Sequence, residues 1–230
     1  MKTSLRPSWT PSLVVAVLLL GASMIAWATG NFATVTLPKG VSIELPKNWV
    51  VLSSNQRITL DTVVESGLDL SGVQQEASEL PFAANYYDDH GKTIGILNVR
   101  YYPQLDLSQA YARSATNQDV KELDATLKEN MSKEMKAFGM SIAWWGGTSK
   151  TEINGITAFV TVYRRAALTG SGDFRVRLVR VLAGDRSFTL TVSYLESASM
   201  ILRPITDRII SSLRFAGIPV HPKTNSKRYK

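Results

Sequence analysis

Residues 142–195 read IAWWGGTSKTEINGITAFVTVYRRAALTGSGDFRVRLVRVLAGDRSFTLTVSYL, and this stretch decides the fold. Ile153-Asn154-Gly155-Ile156 sets Asn-Gly between two β-rich runs, a strong short-range hairpin signal. Thr157 to Arg165 alternates in polarity, as a strand does, and Thr169 to Gly172 reads as a loop. Phe174–Leu182 and Ser187–Leu195 then form a second hairpin around Gly184-Asp185. Strands joined by short turns pair antiparallel, so the stretch predicts an antiparallel sheet.

Upstream lies the longest helical signal. Val120, Leu123, Leu127, Met131, Met135 and Phe138 recur at spacings of three and four, and Lys121, Glu122, Lys128, Glu129, Lys133, Glu134 and Lys136 fill the other face. Asp106 and Gln109 have the spacing of a capping box, and Thr116 with Asp119 offers a second start. Gly139 occupies the stop position. The methionines read as core filler rather than as ligands. Short strands are expected at 34–37, 41–45 and 50–52, a helix at 55–70, a polar connection at 71–80, and a hairpin around Asp88 to Lys92. A closing helix at 199–213 carries Leu202, Ile205, Ile209 and Leu213, with Pro204 near its first turn or at a kink. The elements add up to an α+β fold.

The register of the last hairpin selects candidate binding residues. An even loop puts Arg177 opposite Val192 and Arg175 opposite Tyr194. An odd loop puts Val176 opposite Val192, Leu178 opposite Leu190 and Phe174 opposite Tyr194, giving one wholly apolar face, and is the register expected. The other face then carries Arg175 and Arg177 with Ser187, Thr189, Thr191 and Ser193, and the neighbouring strand adds Thr157, Thr161, Tyr163 and Arg165. This face reads as a solvated or helix-rimmed surface, or as a groove for an anionic ligand, since guanidinium and hydroxyl donors suit carboxylate or phosphate. In Trp144-Trp145, adjacent residues point to opposite faces, so one belongs to the core and the other is a contact anchor; Trp145 is the anchor expected. The candidate binding residues are Arg175, Arg177, Arg165, Tyr163, Thr191 and Trp145.

The ends carry the charge. The chain has 26 basic and 19 acidic residues in 230, yet residues 29–220 hold 20 basic groups against the same 19 acids. The near-neutral body argues against a nucleic-acid reader. Lys2 and Arg6 precede an apolar run from Leu13 to Ala26, followed by the small-x-small sequence Ala26-Trp27-Ala28. This is the pattern of an export signal at 1–28, cleaved after Ala28; the run falls short of the ~20 residues of a membrane span, and the alternative is an uncleaved anchor. No twin arginine precedes the run, so the general secretion route, and the periplasm in a Gram-negative cell, are expected. A single domain is expected over 29–218, and 219–230, with Lys223, Lys227, Arg228 and Lys230, reads as a disordered basic tail able at most to touch an anionic membrane surface weakly.

Motifs of catalysis and cofactor binding are missing: no G-x-S-x-G, H-E-x-x-H, P-loop or dinucleotide fingerprint occurs, and there is no cysteine. No cofactor, catalytic residue or metal site is assigned. Asp88, Asp89 and His90 have metal-ligand chemistry but read first as turn residues. A hydrolase with an unmarked carboxylate pair stands as a third reading.

Val41-Ser42-Ile43-Glu44-Leu45-Pro46-Lys47-Asn48-Trp49, the long helix before Gly139, Glu152-Ile153-Asn154-Gly155 and Ile209-Ile210-Ser211-Ser212-Leu213-Arg214-Phe215 together resemble the PsbP-like fold. That fold is shared by the photosystem subunit PsbP, a Ran-binding import factor and DcrB-like envelope proteins. The resemblance implies an antiparallel sheet between helices in an α/β/α sandwich. It also implies a non-enzymatic accessory or scaffold role with an envelope protein as partner.

Overall fold

The computed structural model describes residues 31–60, 79–167 and 172–217, and of 103–107 and 184–186 the backbone alone. The expected export signal, the C-terminal tail, most of the 55–70 helix and the 169–171 loop lie outside the described residues. The chain runs through β1 (Phe32–Leu37), β2 (Val41–Pro46), β3 (Val50–Val51), helix α1 at 54–60, β4 (Glu79–Tyr87) and β5 (Thr93–Leu107). Helices α2 (Gln109–Ser114) and α3 (Asn117–Ala137) follow, then β6 (Ile142–Ile153), β7 (Ile156–Ala166), β8 (Asp173–Leu182) and β9 (Gly184–Leu195). Helix α4 (Ser199–Ser211) and β10 (Arg214–Phe215) end the description. The architecture is the expected α+β one.

Local signals hold where their causes are local. Asn154 and Gly155 adopt φ of 52° and 81°, and Ile153 pairs with Ile156 across them. Thr116 and Asp119 form a reciprocal capping box on α3. Gly139, at φ 66°, closes α3 with the Met140 N–H donating to the Met135 carbonyl at 2.8 Å. Two starts differ from expectation. α2 is capped by Ser108, because β5 continues through Asp106 to Leu107. Pro204 lies inside α4, beyond its first turn. The Met200 carbonyl, four residues earlier, thereby loses its usual intrahelical donor, at a residue that is 93% exposed and open to solvent.

The large sheet is antiparallel in the order β3-β4-β5-β9-β8-β7-β6, and β1, β2 and β10 form a separate three-stranded sheet. β5 and β6 lie four strand spacings apart, about 19 Å. The 21-residue α3, about 31 Å long, makes that crossing and covers one face. Met131 of α3 packs there on Tyr163, Phe174, Val176 and Leu195. The opposite face carries Leu97, Val99, Val160, Val179, Val181, Phe188, Leu190 and Val192. It is covered by Ile209 and Ile210 at the end of α4 and Leu213 just after it, together with Val41, Ile43 and Leu45 of β2. The sandwich thus has helix on both sides, with the small sheet sharing the α4 layer.

The expected odd register is overturned. β8 and β9 pair with Arg175 opposite Tyr194, Arg177 opposite Val192 and Val179 opposite Leu190, the even register. The odd register assumed one wet face, which an antiparallel sheet usually has. Here both faces are covered, so neither strand needs strict alternation. Ser187, Thr189 and Ser193 are buried on the α3 side, and Val179 and Val181 are buried on the α4 side.

Candidate binding site

The register splits the residues singled out in the sequence. Arg175 and Arg177 face α4, while Tyr163, Arg165, Thr191 and Trp145 lie on the α3 face. Trp145 stacks on Tyr163 at 5.7 Å and donates its indole N–H to Asp124 of α3 at 3.0 Å, so it is a packing residue. Burial pushes the Tyr163 hydroxyl up to about 12. Arg165 lies over the Phe174 ring at 5.2 Å and donates to the Ala166 carbonyl at 3.1 Å. Thr191 sits between Asn98 and Leu178. Trp145 and Tyr163 hold α3 on the sheet.

The α3 face has a polar seam that the even register creates. Thr189 lies directly between Arg180 and Arg100. The Thr189 and Ser187 hydroxyls and the Arg180 Nε are buried without a hydrogen-bond partner. Glu134 of α3 comes within the field of Arg180, and burial, the larger influence, raises its pKa. A raised carboxyl pKa means that the folded state binds more protons than the unfolded chain above the usual carboxylate range. Glu134→Gln is therefore expected to stabilise the protein at pH 7, with the gain vanishing as pH falls below that range. Thermal unfolding of the two proteins from pH 3 to pH 8 checks it, and parallel curves would contradict it.

The arginines of the α4 face have another setting. The Arg175 guanidinium clamps Glu196 through two N–H groups, at 2.9 and 3.0 Å. This bond raises the pKa of Arg175 and holds the Glu196 carboxyl below its usual range. Arg177 pairs with Asp207 of α4. Between these pairs, α4 and the sheet leave a groove of about 430 Å³, lined also by Val162, Tyr194, Ser199, Met200 and Arg203. That volume is in the range of ligand-sized sites. A second cavity of about 160 Å³, between the two sheets beside Phe188 and Phe215, is smaller than that range.

Trp144, not Trp145, is the exposed member of the pair, at 41%. Its ring lies 5.8 Å from the Arg164 guanidinium and 5.6 Å from that of Arg175. A side chain on Gly146 would have its Cβ 2.3 Å from the ring, so this glycine is required by close approach. Bulges between Ile142 and Trp144 and between Trp145 and Gly147 set these side chains. Beyond Arg175 the surface continues to Met200, which is 93% exposed, and Ile201 follows it on α4 at 66%. The sequence signal for this surface was the unexplained apolar pair at the start of a helix whose other apolar residues follow the buried face.

The turn at Asp88 has a structural occupant. Its Oδ1 accepts the N–H groups of His90 and Lys92 at 3.0 and 2.9 Å. Among the described residues no group of three His, Asp or Glu is placed to hold a metal ion. Nor is any described helix long and apolar enough to cross a membrane.

Comparison with one solved structure supports the architecture. The cyanobacterial PsbP (CyanoP) of Synechocystis superposes with a TM-score of 0.51 at 11% identity, over 80% of this chain and 92% of that one. LpqN of Mycobacterium tuberculosis, described as involved in cell envelope biogenesis, gives 0.41 at 13% identity over 84% of this chain and 94% of that one. The Ran-binding protein Mog1p of Saccharomyces cerevisiae gives 0.42 at 8% over 80% and 95%. No protein-family model matches the chain. A peptidoglycan transglycosylase of Escherichia phage T7 is 30% identical over 78 residues, which span 34% of this chain and 6% of that protein.

Proposed function

We propose that this chain of PsbP-like fold is an exported, non-catalytic accessory module that binds a protein partner of the cell envelope through the Trp144–Met200 surface. The observation that carries the reading is Trp144: a large aromatic side chain, exposed, yet held in place by two guanidiniums and Gly146. Trp and Arg at a rigid, partly apolar patch are the composition of binding hot spots. Export rests on Lys2, Arg6, the Leu13 to Ala26 run and Ala26-Trp27-Ala28. It predicts a mature N-terminus at Thr29 by mass spectrometry from the native host. The basic tail contributes at most weak, salt-sensitive contact with anionic lipid.

Photocrosslinking tests the surface. With a photoreactive residue in place of Ile201, intact cells are expected to yield one dominant protein adduct. Trp144→Ala should reduce it about 30-fold, the effect of losing ~2 kcal/mol at a hot spot, with the melting temperature unchanged. Trp144→Phe should retain most of it. An adduct indifferent to Trp144→Ala would remove this surface from the interface.

The hydrolytic reading has the wrong electrostatics in the groove. Its acids, Glu196 and Asp207, are both ion-paired, and Arg175 lowers the pKa of Glu196. A general acid at neutral pH needs the opposite shift.

A further inference from the structure

The groove beside Trp144 has an unequal balance of hydrogen-bonding groups. Arg175, Arg177 and Arg203 all line it, and each guanidinium carries five N–H donors. Arg175 uses two of them on Glu196 and Arg177 uses one on Asp207. Arg203, exposed on the side of α4 that borders the groove, has no ion pair among the described residues. Both oxygens of Glu196 are already taken by Arg175. Donors therefore outnumber free acceptors, and the three positive charges exceed the two negative ones. Apart from Ser199, the remaining lining is apolar: Val162, the Tyr194 ring and Met200.

On the reading of this surface as a protein interface, we infer that the groove takes an acidic side chain of the partner, presented next to an apolar residue. The carboxylate enters between Arg177 and Arg203 and accepts their unused N–H groups, while the apolar neighbour lies on Met200 and Trp144. Guanidinium matches carboxylate in planar geometry, and the charge-assisted bonds are stronger than neutral ones. The existing Arg175–Glu196 clamp holds one wall fixed, so little ordering is needed there on binding. The open shape of the groove and its exposed apolar rim suit a segment of a protein better than an isolated anion.

The test uses the full exported chain, labelled for NMR at its Trp indole and Arg side-chain groups. The probes are acetyl-Leu-Glu-Leu-amide, the same peptide with Gln in place of Glu, and sodium acetate. The Glu peptide is expected to shift the Trp144 indole and the Arg203 Nε–H signals saturably. The Gln peptide should need about tenfold higher concentration, the loss of a charge-assisted bond. Arg203→Glu should abolish saturation, and Arg203→Lys should weaken it. Acetate at equal concentration should give no saturable shift. Equal binding of the Glu and Gln peptides, or shifts confined to another region, would overturn the inference. Acetate binding as tightly as the peptide would replace it with a small-anion pocket. An in-cell adduct at position 201 that depends on Trp144 but survives Arg203→Glu would leave the interface standing and remove the carboxylate from it. Peptide binding without any adduct would do the reverse.

Discussion

Phe188→Ala is expected to lower the free energy of unfolding by about 3–5 kcal/mol, the range for emptying a large aromatic site in a packed core. Phe188 is 1% exposed and stands where the two sheets meet. Its ring contacts Tyr101 of β5 at 5.7 Å and, edge-on, Phe215 of β10 at 5.2 Å. The Tyr101 hydroxyl in turn donates to the Pro38 carbonyl, tying β5 to the turn between β1 and β2. Removing the ring therefore loosens a junction as well as leaving a void. In a chain of this size each kcal/mol moves the melting temperature by roughly 2–4 °C, so circular dichroism reads the effect directly. A loss below about 1 kcal/mol would mean that the small sheet does not share the core.

Gln109→Leu is expected to cost about 3 kcal/mol, because it orphans one buried and two part-buried backbone groups at about 1–3 kcal/mol each, the part-buried ones at the low end. Gln109 is 7% exposed at the start of α2. Its Nε2 donates to the carbonyls of Thr157, at 3.0 Å, and Leu182, at 2.8 Å, and its Oε1 accepts the Thr157 N–H at 2.9 Å. The β7–β8 ladder begins at Ala158 with Val181, so the amide continues the pairing where the strands part. Leucine has nearly the same volume and supplies neither donor nor acceptor. Amide exchange separates this cause from general loosening: Thr157 should lose protection selectively. A melting temperature within a degree of the parent would show that water replaces the amide.

Some of this protein was determined by its sequence alone. The Asn154-Gly155 turn, the Thr116–Asp119 box, the Gly139 stop and the Val120-to-Phe138 stripe were all legible. Each depends on steric and hydrogen-bonding preferences acting within a few residues, which no distant contact had to supply. The antiparallel sheet followed from the short turns. Gln109 was legible only as a cap residue, because its true partners lie 48 and 73 positions away.

The tertiary structure decided the rest. Coverage of both sheet faces removed the rule that would have set the β8–β9 register, and with it the grouping of Arg175 and Arg177 with the threonines. Alternation alone could not say which of Trp144 and Trp145 faces α3, since two bulges and the packing of α3 on β6 settle that. The groove needed α4 to dock against the end of the large sheet, bringing Met200, Arg203 and Asp207 to Arg175 and Arg177 from more than twenty positions away. A binding surface assembled from side chains that meet only after the core has closed has no local signature to read. Its physical cause is the burial of Leu202, Ile209 and Leu213 on the opposite side of the same segment.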